Sequence, residues 1–188
     1  MKKIIVKCKL KSRADFEKRL TDIEIKFGPI YWQHDRVYVP RGFKRATNMP
    51  RLIMRTEMKS VDKPAKYELI LRRHIEDSGI DIVNSTVVKD YIEMVNIVHQ
   101  LGFEKRAEVS RRRQDIEMGD GVMFAVDKVD DLPGSYARLE VALEKDDKVN
   151  EVREDLERTF LVLGQDAGTI LEQSDFELVE KAALSDSK

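Results

Sequence analysis

Basic side chains recur at alternate positions along several short stretches of this chain. The opening MKKIIVKCKLK sets Lys3, Lys7, Lys9 and Lys11 at odd positions and Ile4, Val6, Cys8 and Leu10 at even ones, the alternation of a strand with one apolar and one charged face. The signature returns as Arg51 and Arg55 in RLIMR, Arg111 and Arg113 in RRRQ, Arg138 with Glu140 in ARLEV, and Arg72 or Arg73 at the end of YELILRR. Each strand alone reads as a solvated face, because charges alternate on the water side of most antiparallel strands. Spread over five strands, the pattern has a second reading. If the faces converge inside a curled sheet, about six basic groups line one cavity, which holds together only around a polyanion or enough buried acids. Arginine suits such a cavity because its planar fork grips phosphate through two bonds, while lysine adds a mobile point charge.

Other chemistries find less support. His34, His74 and His99 show neither metal-ligand nor triad spacing. Gly119-Asp120-Gly121 and the Gly42 loop lack the strand, glycine-rich turn and helix of a P-loop. The run Arg111-Arg112-Arg113 is short and lies beside Asp115 and Glu117, so nucleic acid is not an expected partner. Tyr31 and Trp32 could stack on a base or thiazole ring, although strand aromatics more often pack in a core. Cys8 is the only cysteine, which excludes an internal disulfide framework and a multi-cysteine metal site.

The elements that must carry these residues follow from periodicity. After the lysine strand, Ser12 and Asp15 mark a helix start, and Phe16, Leu20, Ile23 and Phe27 predict a helix reaching Gly28-Pro29. Strands are expected over 30–39, 51–58, 67–73 and 81–88, followed by a helix with Tyr91, Met94, Val95, Val98 and Leu101 on one face and Gly102 at its end. The second half repeats the order: strands at 108–117, 122–126 and 136–143 with a turn at 118–121, then a helix from about Asp147 to Leu163. Ser174 and Glu177 fit a capping box for a last helix carrying Phe176, Val179 and Leu184. The expected architecture is α+β: an antiparallel, closed or nearly closed barrel with helices packed outside.

Composition sets the outer limits. Of 188 residues, 37% are charged, yet the net charge is only -1, so any anion site must come from local clustering. No apolar run reaches membrane length, and the first apolar stretch breaks at Lys7, so a signal peptide is not expected and a cytoplasmic location is. One domain over 1–184 with a frayed tail at 185–188 is expected.

The order of these segments resembles the CYTH superfamily, the triphosphate-tunnel proteins that include class IV adenylate cyclases, thiamine triphosphatases and inorganic tripolyphosphatases. KIIVKCKL resembles the family's Glu-x-Glu-x-Lys strand, with Lys7 and Lys9 on its basic positions. Gln33-His34-Asp35 with Val37-Tyr38 is similar to its Gln-x-Asp-x-Tyr-Phe strand. Arg51 to Arg55 is similar to Leu-Arg-Ile-Arg, with Ile53 where the earlier arginine is expected, and Arg72 or Arg73 stands where the family has a basic residue. Leu101-Gly102-Phe103 with Val109 to Arg113 resembles "LGF, then Val-x-Lys-x-Arg". Phe124 to Glu140 resembles the following segment, with Asp127 and Glu140 on acidic positions, and 173–178 is similar to the family's Ser-Tyr-x-Glu-Leu-Leu helix, with Asp175 in place of the tyrosine.

The resemblance implies a small-molecule triphosphate or polyphosphate bound among Lys7, Lys9, Arg55, Arg72, Arg111 and Arg113. Lys7, Arg55 and Arg113 are the expected catalytic groups, and Mg²⁺ or Mn²⁺ the expected cofactor. A homodimer would be consistent with it. The departures fall on the metal site: Lys3 and Ile5 stand where both opening glutamates belong, and Arg138 replaces the first glutamate of Glu-Ile-Glu. Asp127 and Glu140 are the remaining candidate metal ligands, fewer oxygens than such ions require. Two readings follow. One is a divergent phosphohydrolase or cyclase with a depleted metal site; the other is a non-catalytic polyphosphate- or nucleotide-binding protein in which Lys3 and Arg138 deliver the charge a metal would have supplied.

Overall fold

The computed structural model describes residues 1–43, 50–75, 79–118, 121–144 and 148–185. Gly119 and Asp120 of the expected turn, Asp147 at the expected helix start, the Leu184 side chain and residues 186–188 of the tail lie outside them. The first half runs β1 (Lys2–Lys9), α1 (Arg13–Asp22), β2 (Phe27–Pro40), β3 (Arg51–Met58), β4 (Lys66–Ile75), β5 (Ile80–Val88) and α2 (Tyr91–Gln100). The second runs β6 (Phe103–Glu117), β7 (Val122–Val129), β8 (Tyr136–Ala142), α3 (Val149–Val162), a 3-10 turn at Ala167–Thr169, β9 (Ile170–Leu171) and α4 (Asp175–Ser185).

Every strand pairing is antiparallel, in the order β5-β4-β3-β2-β6-β7-β8-β1. Lys2 to Ile4 of β1 then pair with Ile80 to Ile82 of β5, closing the sheet into a barrel. Closure removes the exposed edges an open sheet would leave. The short β9 pairs with β1 at Lys7 and Cys8, beyond the stretch used by β5.

The outer wall is apolar where helices cover it. Ile4, Val6 and Cys8 of β1, Phe124 of β7 and Leu139 of β8 pack with Phe16 and Leu20 of α1 and Leu156 and Phe160 of α3. On the opposite side, Tyr38, Leu52, Met54 and Val88 pack with Val98 of α2. These side chains are nearly all below one-tenth exposed, and each buried leucine or phenylalanine contributes about 1.5–3 kcal/mol. Ser12 and Asp90 cap α1 and α2 by accepting the N–H of Asp15 and Glu93. The capping box at α4 forms as expected: Glu177 Oε2 accepts the Ser174 N–H at 2.7 Å.

The first helix is shorter than its periodicity predicts. It ends at Asp22, Ile23 is 57% exposed, and Phe27 already opens β2. Glu24 takes a left-handed conformation at φ 60°, which turns the chain back where a glycine would have announced the stop. α4 lies across one end of the barrel, against side chains that face its lumen. Its Val179 packs on Val109, Val129 and Tyr136, and its Phe176 on Val37, Ile53 and Ile70.

Candidate functional site

Because β1 presents its even residues to the outer core, strand alternation turns Lys3, Ile5 and Lys7 to the lumen. The other strands contribute Asp35, Arg51, Arg55, Arg72, Asp81, Arg111, Arg113, Asp127, Arg138 and Glu140. Two cavities lie within: a mouth of about 650 Å³ and an inner space of about 40 Å³. Both are lined by Arg51, Arg72, Arg138, Ser174, Asp175 and Phe176. The first turn of α4 therefore divides the lumen.

Acids borne by the barrel wall neutralise one set of cations. Arg55 forks onto Asp35 at 2.7 and 2.9 Å, Arg72 onto Asp81 at 2.9 Å, and Arg113 onto Asp127 at 2.7 Å. Register dictates two of these pairs: Arg55 stands directly across from Asp35, and Arg113 from Asp127. Glu140 receives Lys3 Nζ at 3.1 Å and lies 2.8 Å from Arg138 Nε. That contact lacks hydrogen-bond geometry, since Arg138 Nε and Arg111 Nε are buried donors without a partner.

The same register also sets cations against each other. Arg51 is directly opposite Arg72, and Lys7 opposite Arg138, arrangements that are destabilising unless acids come from elsewhere. α4 supplies them. Asp175 accepts from Lys7 Nζ at 2.7 Å and from Arg111 at 2.6 Å, and Glu177 accepts from Arg51 at 2.9 Å.

Electrostatics register the crowding. Burial would raise the carboxyls of Asp35, Asp81, Glu140 and Asp175, but the adjoining cations overcome it and hold all four low. Glu140, beside Arg138 and Lys3, is brought down to about 2. The cations of the Lys7–Arg138 pair move the unfavourable way. Burial lowers the Lys7 ammonium despite Asp175, with Arg138 and Arg111 adding to the shift. Burial likewise lowers Arg138 despite Glu140, helped by Arg113 and Arg72. In both groups burial is the larger cause and neighbouring cations add to it.

A closed antiparallel barrel with alternating basic residues directed inward agrees with the family that the sequence matches: residues 1–174 fit the CYTH domain. The chain belongs to the CYTH family. No curated protein sequence matches it significantly. Among solved structures it is similar to the PH1819 protein of Pyrococcus horikoshii OT3, at 16% identity and TM-score 0.82 over 95% of this chain and 98% of that one. A candidate adenylate cyclase of Vibrio parahaemolyticus superposes with TM-score 0.78 at 13% identity, covering 95% and 97% of the two chains. HpAC1 of Hippeastrum, described as a candidate adenylyl cyclase with a dominant triphosphatase activity, gives 0.62 at 14% identity over 96% of each. At such identities the likeness concerns the fold.

Within this CYTH barrel, Lys7, Arg55, Arg72, Arg111 and Arg113 all meet in the lumen, and Arg72 rather than Arg73 lines it. Lys9 does not join them. It is exposed at the end of β1, with its Cε near Gly134. Asp127 and Glu140 do not converge either. Asp127 is level with Tyr136 and Glu140 with Met123, so at ~3.3 Å per residue they are separated by roughly 13 Å along the strands. Each is already held by its own cation, and no cluster of three or more His, Cys, Asp or Glu side chains among the described residues could hold a metal. Tyr31 donates to Asp115 and Trp32 stacks on His34 at 5.4 Å; neither lines the mouth or the inner space.

Sequence reasoning passed over Asp81 and gave Asp175 no site role. Asp81 shows the inward alternation of β5, but its pairing with Arg72 depends on register. Asp175 shows no signal beyond replacing a tyrosine. Among the described residues no helix is long and apolar enough to cross a membrane.

Proposed function

We propose that the barrel lumen binds a small molecule bearing a triphosphate or polyphosphate, using side-chain cations where relatives would use a divalent metal. The observation that carries this reading is the Lys7–Arg138 pair: two cations set directly across from each other in the lumen, with burial opposing the charge on each. Each shares its carboxylate with another cation, Lys7 sharing Asp175 with Arg111 and Arg138 sharing Glu140 with Lys3, so the compensation is partial and costly. An incoming phosphate would relieve it, and Arg111 Nε is a buried donor without a hydrogen-bond partner that such a ligand could meet.

The residues present do not fit a shared Mg²⁺ or Mn²⁺. Asp127 and Glu140 stand too far apart, and the Glu140 carboxylate lies between Lys3 and Arg138, whose fixed positive charges would repel a divalent ion. Arg55 and Arg113 are committed to Asp35 and Asp127 and shape the wall. Arg72 is forked onto Asp81 in the same way but, unlike Arg113, lines the cavities, as do Lys7, Arg111 and Arg138, so these four are placed to meet phosphoryl oxygens. The chain is read as a polyphosphate- or nucleotide-binding member of its family, and turnover is the competing outcome.

The test incubates the purified protein with tripolyphosphate, thiamine triphosphate and ATP, with EDTA or with Mg²⁺ or Mn²⁺, following bound ligand together with released phosphate and pyrophosphate. Binding in EDTA without product supports the reading. Metal-dependent product formation abolished in Glu140→Gln contradicts it, as does the absence of binding to all three.

A further inference from the structure

We infer that Asp175 is a built-in competitor for the ligand: its carboxylate occupies the anion subsite formed by Lys7 and Arg111, and a polyphosphate binds by displacing it. The inference rests on the proposed polyphosphate site and assigns that site an affinity-setting residue.

The division of labour among the acids carries it. Wall acids serve Arg55, Arg72, Arg113 and the Arg138–Lys3 pair, and they come with the barrel. Among the described residues Lys7 meets a carboxylate from α4 alone, and Arg111 reaches α4 through a second short bond, at 2.6 Å, besides the one to Asp35. Two charge-assisted bonds from a lysine and an arginine onto neighbouring oxygens of one buried group are what a terminal phosphoryl group would receive. Asp175 also helps form the boundary between the 40 Å³ and 650 Å³ spaces. Moving it aside would join them into one channel running toward Arg51 and Arg72.

Displacement has a consequence for ligand choice. A ligand entering this subsite must replace the interactions Asp175 loses, so the docked state reduces the apparent affinity by the fraction of molecules in which α4 has opened. A single phosphate can offset the Asp175 contacts and little else. A longer chain reaches further cations, so affinity should climb steeply with chain length.

The experiment titrates inorganic phosphate, pyrophosphate and tripolyphosphate into the wild-type protein, Asp175→Asn and Asp175→Ser, and follows amide exchange across α4 with and without tripolyphosphate. Glu180→Gln serves as a charge control: it removes one α4 carboxylate that pairs with Arg106 at the rim. Asp175→Asn or Asp175→Ser should bind tripolyphosphate at least about tenfold more tightly. In the wild type, ligand should speed exchange in the first turn of α4. Equal affinity in the wild type and both Asp175 variants, or ligand that slows exchange at α4, overturns the inference and leaves the polyphosphate site standing. Equal tightening by Glu180→Gln also overturns it, because general charge would then suffice. Failure of every protein to bind tripolyphosphate overturns the polyphosphate site, and the competitor role with it.

Discussion

Asp127→Asn separates a structural carboxylate from a metal ligand. Arg113 and Asp127 share two bonds of 2.7 Å, with side chains 4% and 2% exposed. Neutralising Asp127 leaves the guanidinium buried without its fork, a change that typically costs about 3–5 kcal/mol. For a chain of this length each kcal/mol is about 2–4 °C, so the midpoint should fall by roughly 10 °C. Replacing both partners with apolar residues, Arg113→Met with Asp127→Leu, removes the desolvation penalty along with the attraction and should come close to wild type. Equilibrium denaturation in urea, with thermal scans, measures both. Asp127→Asn should also tighten tripolyphosphate binding, since it removes a negative charge from the lumen; a metal ligand would show the opposite. The reasoning fails if Asp127→Asn stays within about 1 kcal/mol of wild type, or if the double variant is as unstable as the single one.

Three further outcomes are expected. Glu140 falls from its ordinary 4.5 to about 2 on folding, so its contribution is complete above about pH 4.5 and lost as pH drops toward 2; Asp35, Asp81 and Asp175 act with the same sign. Denaturation midpoints should therefore decline steeply below pH 4, and a flat profile down to pH 2 would contradict the buried pairs. Phe176→Ala, at a side chain 8% exposed among Val37, Ile53 and Ile70, should cost about 3 kcal/mol and accelerate amide exchange in α4. Glu24→Gly should stabilise by about 0.5–1 kcal/mol in a urea titration, because Glu24 holds φ 60°, a conformation that penalises a side chain.

Strand alternation puts Lys7, Arg55, Arg111 and Arg113 on the charged faces of their strands, but taken alone those faces read as solvated. The resemblance to the CYTH superfamily is what turns them inward as site residues. The acids that meet them were less legible. Arg72 pairs with Asp81 through the registry of β4 and β5, and Glu140 stands level with Met123 rather than near Asp127 because of the registry of β7 and β8. Alternation says which face a residue takes, not which residue stands opposite. Lys9 shares the face of Lys7, but alternation could not show that it lies past the end of the lumen. The end of α1 was misjudged because Ile23 and Phe27 continue the helical spacing while Glu24 reverses the chain without a glycine. Asp175 was the least visible. Its partners lie on β1 and β6, 168 and 64 residues away, and an acid in the first turn of a helix is accounted for by the helix dipole without reference to the lumen.

The central claim is that the lumen receives a polyphosphate through Lys7, Arg72, Arg111 and Arg138 without a metal. Calorimetric titration of tripolyphosphate in EDTA, for the wild type and for Arg138→Gln, tests it most directly. The account predicts binding in EDTA that weakens at least about tenfold in Arg138→Gln, as loss of a charge-assisted contact requires. Binding that appears only when Mg²⁺ or Mn²⁺ is added, or that is indifferent to Arg138, would contradict it.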